Sequence, residues 1–388
     1  MARAVLIVLD GVGCGALPDA NLYGDEGSNS LSHAAASLDG FCLPNMRRMG
    51  LGNIMPIAGV SPTPNPAACY GKMAERSPGK DTTAGHWEMM GAILSEPFPL
   101  FPNGFDGELI ERFEKKVGRK VIGNKTASGT EIIDELGPRQ LRTGELIVYT
   151  SADSVFQVAA HVSIIPLDEL YRVCETARAM LTGPYGVSRV IARPYSGEPG
   201  SFVRTVDRKD FSVEPPSPTL LDKTLYAGME VQGVGKIDNI FAGRGFTECR
   251  HVESNTEGIK VIAEKMQKRF EGLLFANLVD FDMKYGHRND SAGYARALME
   301  FDAAIPLYME LMASDQLFFI TGDHGNDPTT PSTDHSREYV PLLALSSGHR
   351  EGISLGVRET FADVGATIAD FLDLSPLEEG ESFLEALV

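Results

Sequence analysis

LFFITGDHGND, residues 317–327, sets the fold class. Its first half is apolar and strand-length. Its second half bends through two glycines and puts Asp323 and His324 side by side just past the strand end. A run with no polar alternation suits a central strand covered on both faces. Two other runs end the same way: Val5 to Asp10 in VLIVLDGVG, and Leu273 to Asp280 leading into NLVDFDMKYGH. Helical patterns lie between the later runs. One starts near Ser254, with Glu257 as a capping-box partner and Ile259, Ile262, Met266 and Phe270 on one face. A second carries Leu298, Phe301, Ile305, Tyr308 and Met312, with Pro306 predicting a kink or break. Strands alternating with helices define an α/β sheet, which binds ligands beyond the carboxyl ends of its strands. The acidic residues fall there.

The 388 residues suit two domains, and 43% hydrophobic with 23% charged residues is an ordinary globular composition. Proline-rich EPFPLFP (96–102) and EPPSP (214–218) bracket a segment with its own strand, LIVYTSADS, and an amphipathic helix around Leu167 to Leu181. We read residues 99–214 as an inserted domain and residues 1–98 with 215–388 as the discontinuous core. No apolar run reaches the roughly 20 residues that span a bilayer. The amino terminus is strand-like, without a small-residue cleavage site, and the five cysteines are scattered. A cytoplasmic location with reduced thiols is expected. A formal charge of −18 argues against a nucleic-acid partner, and capture of an anionic substrate would lean on metals and a few basic residues.

Asp10, Asp282, His287, Asp323, His324 and His335 (the last in TDHSREYVPLL) gather carboxylates and imidazoles at four strand edges. That donor set suits two divalent cations such as Mn²⁺ or Zn²⁺. Asp280 is either a direct ligand or a residue that orients one. His33, His86, His161, His251 and His349 take the plainer reading of surface or cap histidines. KDTTAGHWEMMG places Thr82 and Thr83 ahead of a helix. Locally, either is a helix N-cap. Next to a metal, the Thr82 hydroxyl is instead a nucleophile whose phosphate would meet free amides and a positive dipole end.

VLDGVG, GKDTTAGHWEMMG, VIGNKTASGTEIIDELG, YTSADSVFQVAAH, RVIARPYSGEPG, NLVDFDMKYGHR, TGDHGNDPTTPSTDHSREYVPLL and TFADVGATIADFL together resemble the bacterial phosphopentomutases of the alkaline phosphatase superfamily. The likeness runs from residue 3 to about residue 385. It implies an alkaline-phosphatase-like core sheet with helices on both faces, plus an inserted α/β cap domain. It also implies two Mn²⁺ ions, one on Asp282, His287 and His335, the other on Asp10, Asp323 and His324. Thr82 aligns with the phosphorylated threonine, and Asp153, Arg189, Arg193 and Lys236 with substrate-binding positions. Ala84 stands where some relatives have threonine. The implied substrates are pentose phosphates, with a sugar bisphosphate as activator. Rival readings are a phosphate-releasing hydrolase or phosphoglycerate mutase of the same superfamily, and a non-catalytic sugar-phosphate sensor.

Overall fold

A computed structural model describes residues 1–151, 153–348 and 351–388; His349 lies outside the described residues. The chain opens with β1 (Arg3–Leu9) and β2 (Cys69–Met73). It then forms β3 (Val121–Thr126), β4 (Leu146–Thr150), β5 (Val155–His161), β6 (Arg189–Ser196), β7 (Val203–Arg204) and β8 (Lys209–Ser212). It returns through β9 (Glu230–Val234), β10 (Glu248–Arg250), β11 (Gly272–Leu278), β12 (Gln316–Thr321), β13 (Val340–Ser346) and β14 (Ser354–Arg358). Two compact units result: Met1–Glu96 with Pro215–Val388, and Pro97–Glu214.

The larger unit holds an eight-stranded sheet in the order β10-β9-β11-β1-β12-β13-β2-β14. The three apolar runs read from the sequence are its three adjacent central strands, β11, β1 and β12, all parallel and buried along their whole length. Burying each large aliphatic or aromatic side chain there contributes on the order of 2 kcal/mol. Register does the rest. Leu9 pairs with Leu278 and Val8 with Thr321, so Asp10, Asp280 and Asp323 leave the sheet at one edge. Strand β13 runs antiparallel to β12, with Leu342 opposite Thr321, so its amino end and His335 before it reach that same edge. Strand β2 is antiparallel to β13, with Met73 opposite Val340, and delivers the chain toward Thr82.

Ser254 caps the helix Asn255–Met266 by accepting from the Glu257 amide at 3.2 Å. The Glu257 carboxylate returns to the Glu253 amide rather than to Ser254, so the capping box is offset by one residue. The predicted break at Pro306 does not occur, since the helix Ser291–Glu310 runs through it. A proline removes the amide that would bond the carbonyl four residues back, here that of Asp302. Asn45 Nδ2 donates to that carbonyl at 2.9 Å and satisfies it from a neighbouring segment.

The smaller unit has its own sheet, β3-β4-β5-β6-β7 with β8 on β6, and separate apolar clusters. Its strand β4 takes only LIVYT of the predicted strand, and the predicted helix spans Leu167–Met180.

Candidate metal and phosphoryl-transfer site

The edge where β1, β11 and β12 end gathers buried acids and His324 with the half-buried His287 and His335. Asp10 follows β1, and Asp323 with His324 follow β12. Asp282 sits on the irregular helical turn Phe281–Tyr285 after β11, His287 on the turn that follows, and His335 before β13. Two donor groups emerge, each with its ligand atoms within 4.8 Å of one another: Asp282, His287 and His335, and Asp10, Asp282 and His324. Asp282 belongs to both. Asp323 joins the second group through Oδ2, 3.3 Å from His324 Nε2. Asp280 is not among these donors. Its carboxylate accepts from the Asn255 amide at 2.9 Å and so satisfies the first amide of the helix that Ser254 caps.

The imidazoles are pre-set for ligation. His324 Nδ1 lies 2.9 Å from the Gly325 carbonyl and His287 Nδ1 lies 2.6 Å from the Thr333 carbonyl. A carbonyl only accepts, so each Nδ1 carries hydrogen and Nε2 faces the cluster, the arrangement typical of metal-bound histidine. His324 Nε2 stands 3.4 Å from Asp10 Oδ1, and His287 Nε2 and His335 Nε2 stand 3.1 and 3.4 Å from the Asp282 oxygens. Asp10 Oδ1 and Asp323 Oδ2 are buried without a well-directed hydrogen bond. Buried carboxylate oxygens left bare amid imidazoles fit cations.

Without cations, burial and acid–acid repulsion work against the attraction between acids and imidazoles. Burial, with Asp323's charge adding, pushes the Asp10 carboxyl up. Burial would also raise Asp282 and Asp323, but the histidines around them overcome it and hold both below the usual carboxylate range. Burial opposes protonation of His287, yet the Asp282 hydrogen bond and charge lift it to about 9. His324 is likewise raised, by Asp323 and Asp10 against burial.

Two glycines allow the close packing. Gly11 adopts φ +79 and turns its amide to Asp323 Oδ1 at 2.9 Å, a backbone conformation costly to any residue with a Cβ. A Cβ on Gly85 would stand 2.2 Å from the Asp323 carbonyl oxygen, so only glycine lets the helix Thr82–Met89 lie against the end of β12. Thr82 is the first residue of that helix, and its Oγ1 is 3.0 Å from His324 Nε2. Neither threonine is the cap. Asp81 is, accepting from the amides of Thr83 and Ala84 at 3.0 and 3.1 Å. Those two amides, expected to be free for a phosphate, are therefore occupied.

His86, read from the sequence as a surface or cap residue, is fully buried in this site. Its Nδ1 lies 2.8 Å from the Thr82 carbonyl and 3.2 Å from Asp323 Oδ2. Asn277 and Asn326 belong to the site as well. They donate to Asp10 Oδ2 at 2.7 Å and to Asp282 Oδ1 at 2.6 Å. Both asparagines stand inside quoted motifs, but a neutral amide carries no ligand signature that a pattern could pick out.

In the smaller unit, Arg189 and Arg193 lie four residues apart on β6, hence on one face, and Asp153 is exposed in the loop before β5. Arg193 Nε donates to Gln157 at 3.0 Å, and burial, with the nearby charges of Arg208 and Arg204, lowers its guanidinium to about 10. Arg189 reaches Asp210 at 3.7 Å, and Asp210 also pairs with Arg208 at 2.6 Å. Arg204 and Arg208 thus enlarge a basic cluster of which the motifs named two members. Lys236 belongs to the larger unit, exposed at the start of the short helix Ile237–Ile240.

The Metalloenzyme superfamily model matches residues 2–376, which agrees with an alkaline-phosphatase-like α/β fold and a metal-binding site. Phosphopentomutase from Dictyoglomus turgidum is 59% identical over 387 residues, covering 100% of this chain and 98% of that protein. Phosphopentomutase from Thermotoga maritima is 59% identical over 383 residues, covering 98% of each. Among solved structures, the PH0037 protein from Pyrococcus horikoshii aligns with TM-score 0.49 and 16% identity over 98% of this chain and 99% of that one. The chain belongs to the phosphopentomutase family, enzymes of the intramolecular phosphotransferase type.

Proposed function

We propose that the chain interconverts ribose 1-phosphate and ribose 5-phosphate, and the 2-deoxyribose pair, through phospho-Thr82 and a pentose bisphosphate. The observation that carries this reading is the Thr82 hydroxyl, 3.0 Å from His324 Nε2 inside the acid–imidazole cluster. Asp282, His287 and His335 would hold one Mn²⁺ and Asp10, Asp323 and His324 the other. Such a pair, when bound, neutralises charge on the attacking and leaving oxygens and favours the Thr82 alkoxide.

The resting enzyme carries phosphate on Thr82. The free hydroxyl of a bound pentose monophosphate attacks that phosphorus, the P–Oγ1 bond breaks, and the hydroxyl proton is returned to Oγ1. The resulting bisphosphate turns over in the site. Oγ1 then attacks the other phosphorus, the bond from that phosphorus to the sugar oxygen breaks, the Oγ1 proton passes to that oxygen, and the isomeric monophosphate leaves phospho-Thr82 behind. Arg189 and Arg193, with Asp153 and Lys236, bind the sugar phosphate, since guanidinium forks match phosphate oxygens. The smaller unit acts as the cap that keeps water from the phosphothreonine. Priming by a sugar bisphosphate and a cytoplasmic location complete the reading. No described helix is long and apolar enough to cross a membrane.

Turnover with Mn²⁺ and ribose 1-phosphate, following ribose 5-phosphate and free phosphate together, tests it. Ribose 5-phosphate without phosphate release is expected. Phosphate release alone would make the chain a hydrolase. Exchange of 2- and 3-phosphoglycerate instead would move it to the other mutase class, and no turnover of any of these would leave a binding protein.

A further inference from the structure

Each acid of the cluster is held by a neutral donor. Asn277 Nδ2 reaches Asp10 Oδ2 at 2.7 Å, Asn326 Nδ2 reaches Asp282 Oδ1 at 2.6 Å, and the Gly11 amide reaches Asp323 Oδ1 at 2.9 Å. Both asparagines are at most 1% exposed. A carboxylate only accepts, so each side-chain amide must turn its NH₂ toward the acid. That choice leaves Asn277 Oδ1 and Asn326 Oδ1 buried with no hydrogen-bond partner. An unsatisfied buried acceptor opposes folding, and an apolar residue of the same shape would avoid it. The amides thus serve the acids rather than the core.

We infer that Asn326 and Asn277 are positioning residues for the metal pair, fixing the rotamers of Asp282 and Asp10 so that their remaining lone pairs point into the cluster. A lysine or arginine would orient a carboxylate too, but its positive charge would repel a cation. An amide orients without competing. Asn326 carries the larger share, because Asp282 belongs to both donor groups. Its own place is set by its backbone amide, which lies 2.9 Å from both the Gly11 carbonyl and Ser30 Oγ. His287 Nδ1, 3.4 Å from Asn326 Nδ2, already gives its hydrogen to Thr333 and takes none from the amide.

The inference rests on the two-metal reading above, and the test separates the two. Mn²⁺ binding to the dephosphorylated protein is measured by calorimetry for wild type, Asn326→Leu and Asn277→Leu, with the visible spectrum of the Co²⁺-loaded forms and metal-free melting curves alongside. Loss of an orienting partner typically weakens metal binding about 10–100-fold. That loss is expected for Asn326→Leu with a shifted Co²⁺ spectrum, while the metal-free melting temperature holds or rises. Asn277→Leu should weaken only the ion that Asp10 binds. Wild-type affinity and an unchanged Co²⁺ spectrum in the Leu variants would overturn the positioning role, as would a lowered metal-free melting temperature with intact affinity. If Asn326→Leu does not fold, Asn326→Ala, which removes the amide without adding a charge or a ligand, takes its place, and an unchanged Co²⁺ spectrum there would be equally fatal. A wild-type protein that binds no Mn²⁺ would sink the two-metal reading itself.

Discussion

The two units each crowd like charges into one place, with opposite sign. At the edge of the large sheet, Asp10, Asp282 and Asp323 are buried together. In the smaller unit, Arg193 stands near Arg204 and Arg208, and burial lowers its guanidinium. Gathering like charges away from water costs stability unless counter-charges arrive. The first cluster has histidines with Nε2 turned inward and bare carboxylate oxygens, an environment made for cations. The second has guanidinium groups drawn around one carboxylate, Asp210. In each cluster a partial counter-charge is already in place, the histidines around the acids and Asp210 among the arginines. Removing a charge from either cluster should therefore harm function more than folding.

The sharpest way to break that contrast is at Thr82, the neutral hydroxyl beside the cation cluster. Thr82→Ala should lower kcat on the order of 10⁴-fold or more and abolish phosphate incorporation, read by mass spectrometry after turnover. Full activity in the variant would remove Thr82 from the mechanism. Next comes the cluster itself. Asp10→Asn, or EDTA followed by dialysis, should reduce turnover at least about 100-fold, with Mn²⁺ restoring only the wild type. Metal-free Asp10→Asn should melt no lower than metal-free wild type, because burial and Asp323 already disfavour the Asp10 charge.

On the basic side, Arg193→Met should raise KM about tenfold or more, the loss of a charged hydrogen bond on the order of 1.5–3 kcal/mol. Its melting temperature should stay the same or rise. A fall in stability with unchanged kinetics would make Arg193 a structural residue and end the comparison there.

The smallest effect is on pH. In the metal-free protein His287 is raised from 6.5 to about 9. A group bound more tightly to its proton in the folded state adds stability that is full below its unfolded pKa and fades as pH rises through the folded one. Metal-free protein should thus lose stability across this window, read as a Tm that falls as pH rises from about 6.5 to 9. Calorimetry in Mn²⁺ should flatten the slope, because the ion takes the proton's place on Nε2. A slope that persists would show that His287 is not a ligand.

Much of the site was legible in the sequence. Apolar runs ending in Asp10 and Asp323 need only the rule that buried parallel strands deliver ligands at their carboxyl ends. Asp280 was less readable, because nothing local says whether a carboxylate after a strand faces a cation or a helix amide. The Asn255 amide decides it, 25 positions away in the chain. The absence of a break at Pro306 has a similar reason. The penalty of a helical proline is local, while the amide of Asn45 that relieves it comes from 257 residues away from Asp302.

The donor types, their placement after strand-length apolar runs, and the family are all readable from the chain, because they depend on side-chain chemistry and short-range periodicity. Tertiary structure alone decided that Asp282 joins both donor groups, that His86 is buried behind Thr82, that Asp81 rather than a threonine caps the helix, and that Asn277 and Asn326 aim the acids. Those facts depend on the parallel register of β11, β1 and β12 and on glycines that let backbones approach. Register and close approach are set by the packing of segments hundreds of residues apart, and no local pattern carries that information.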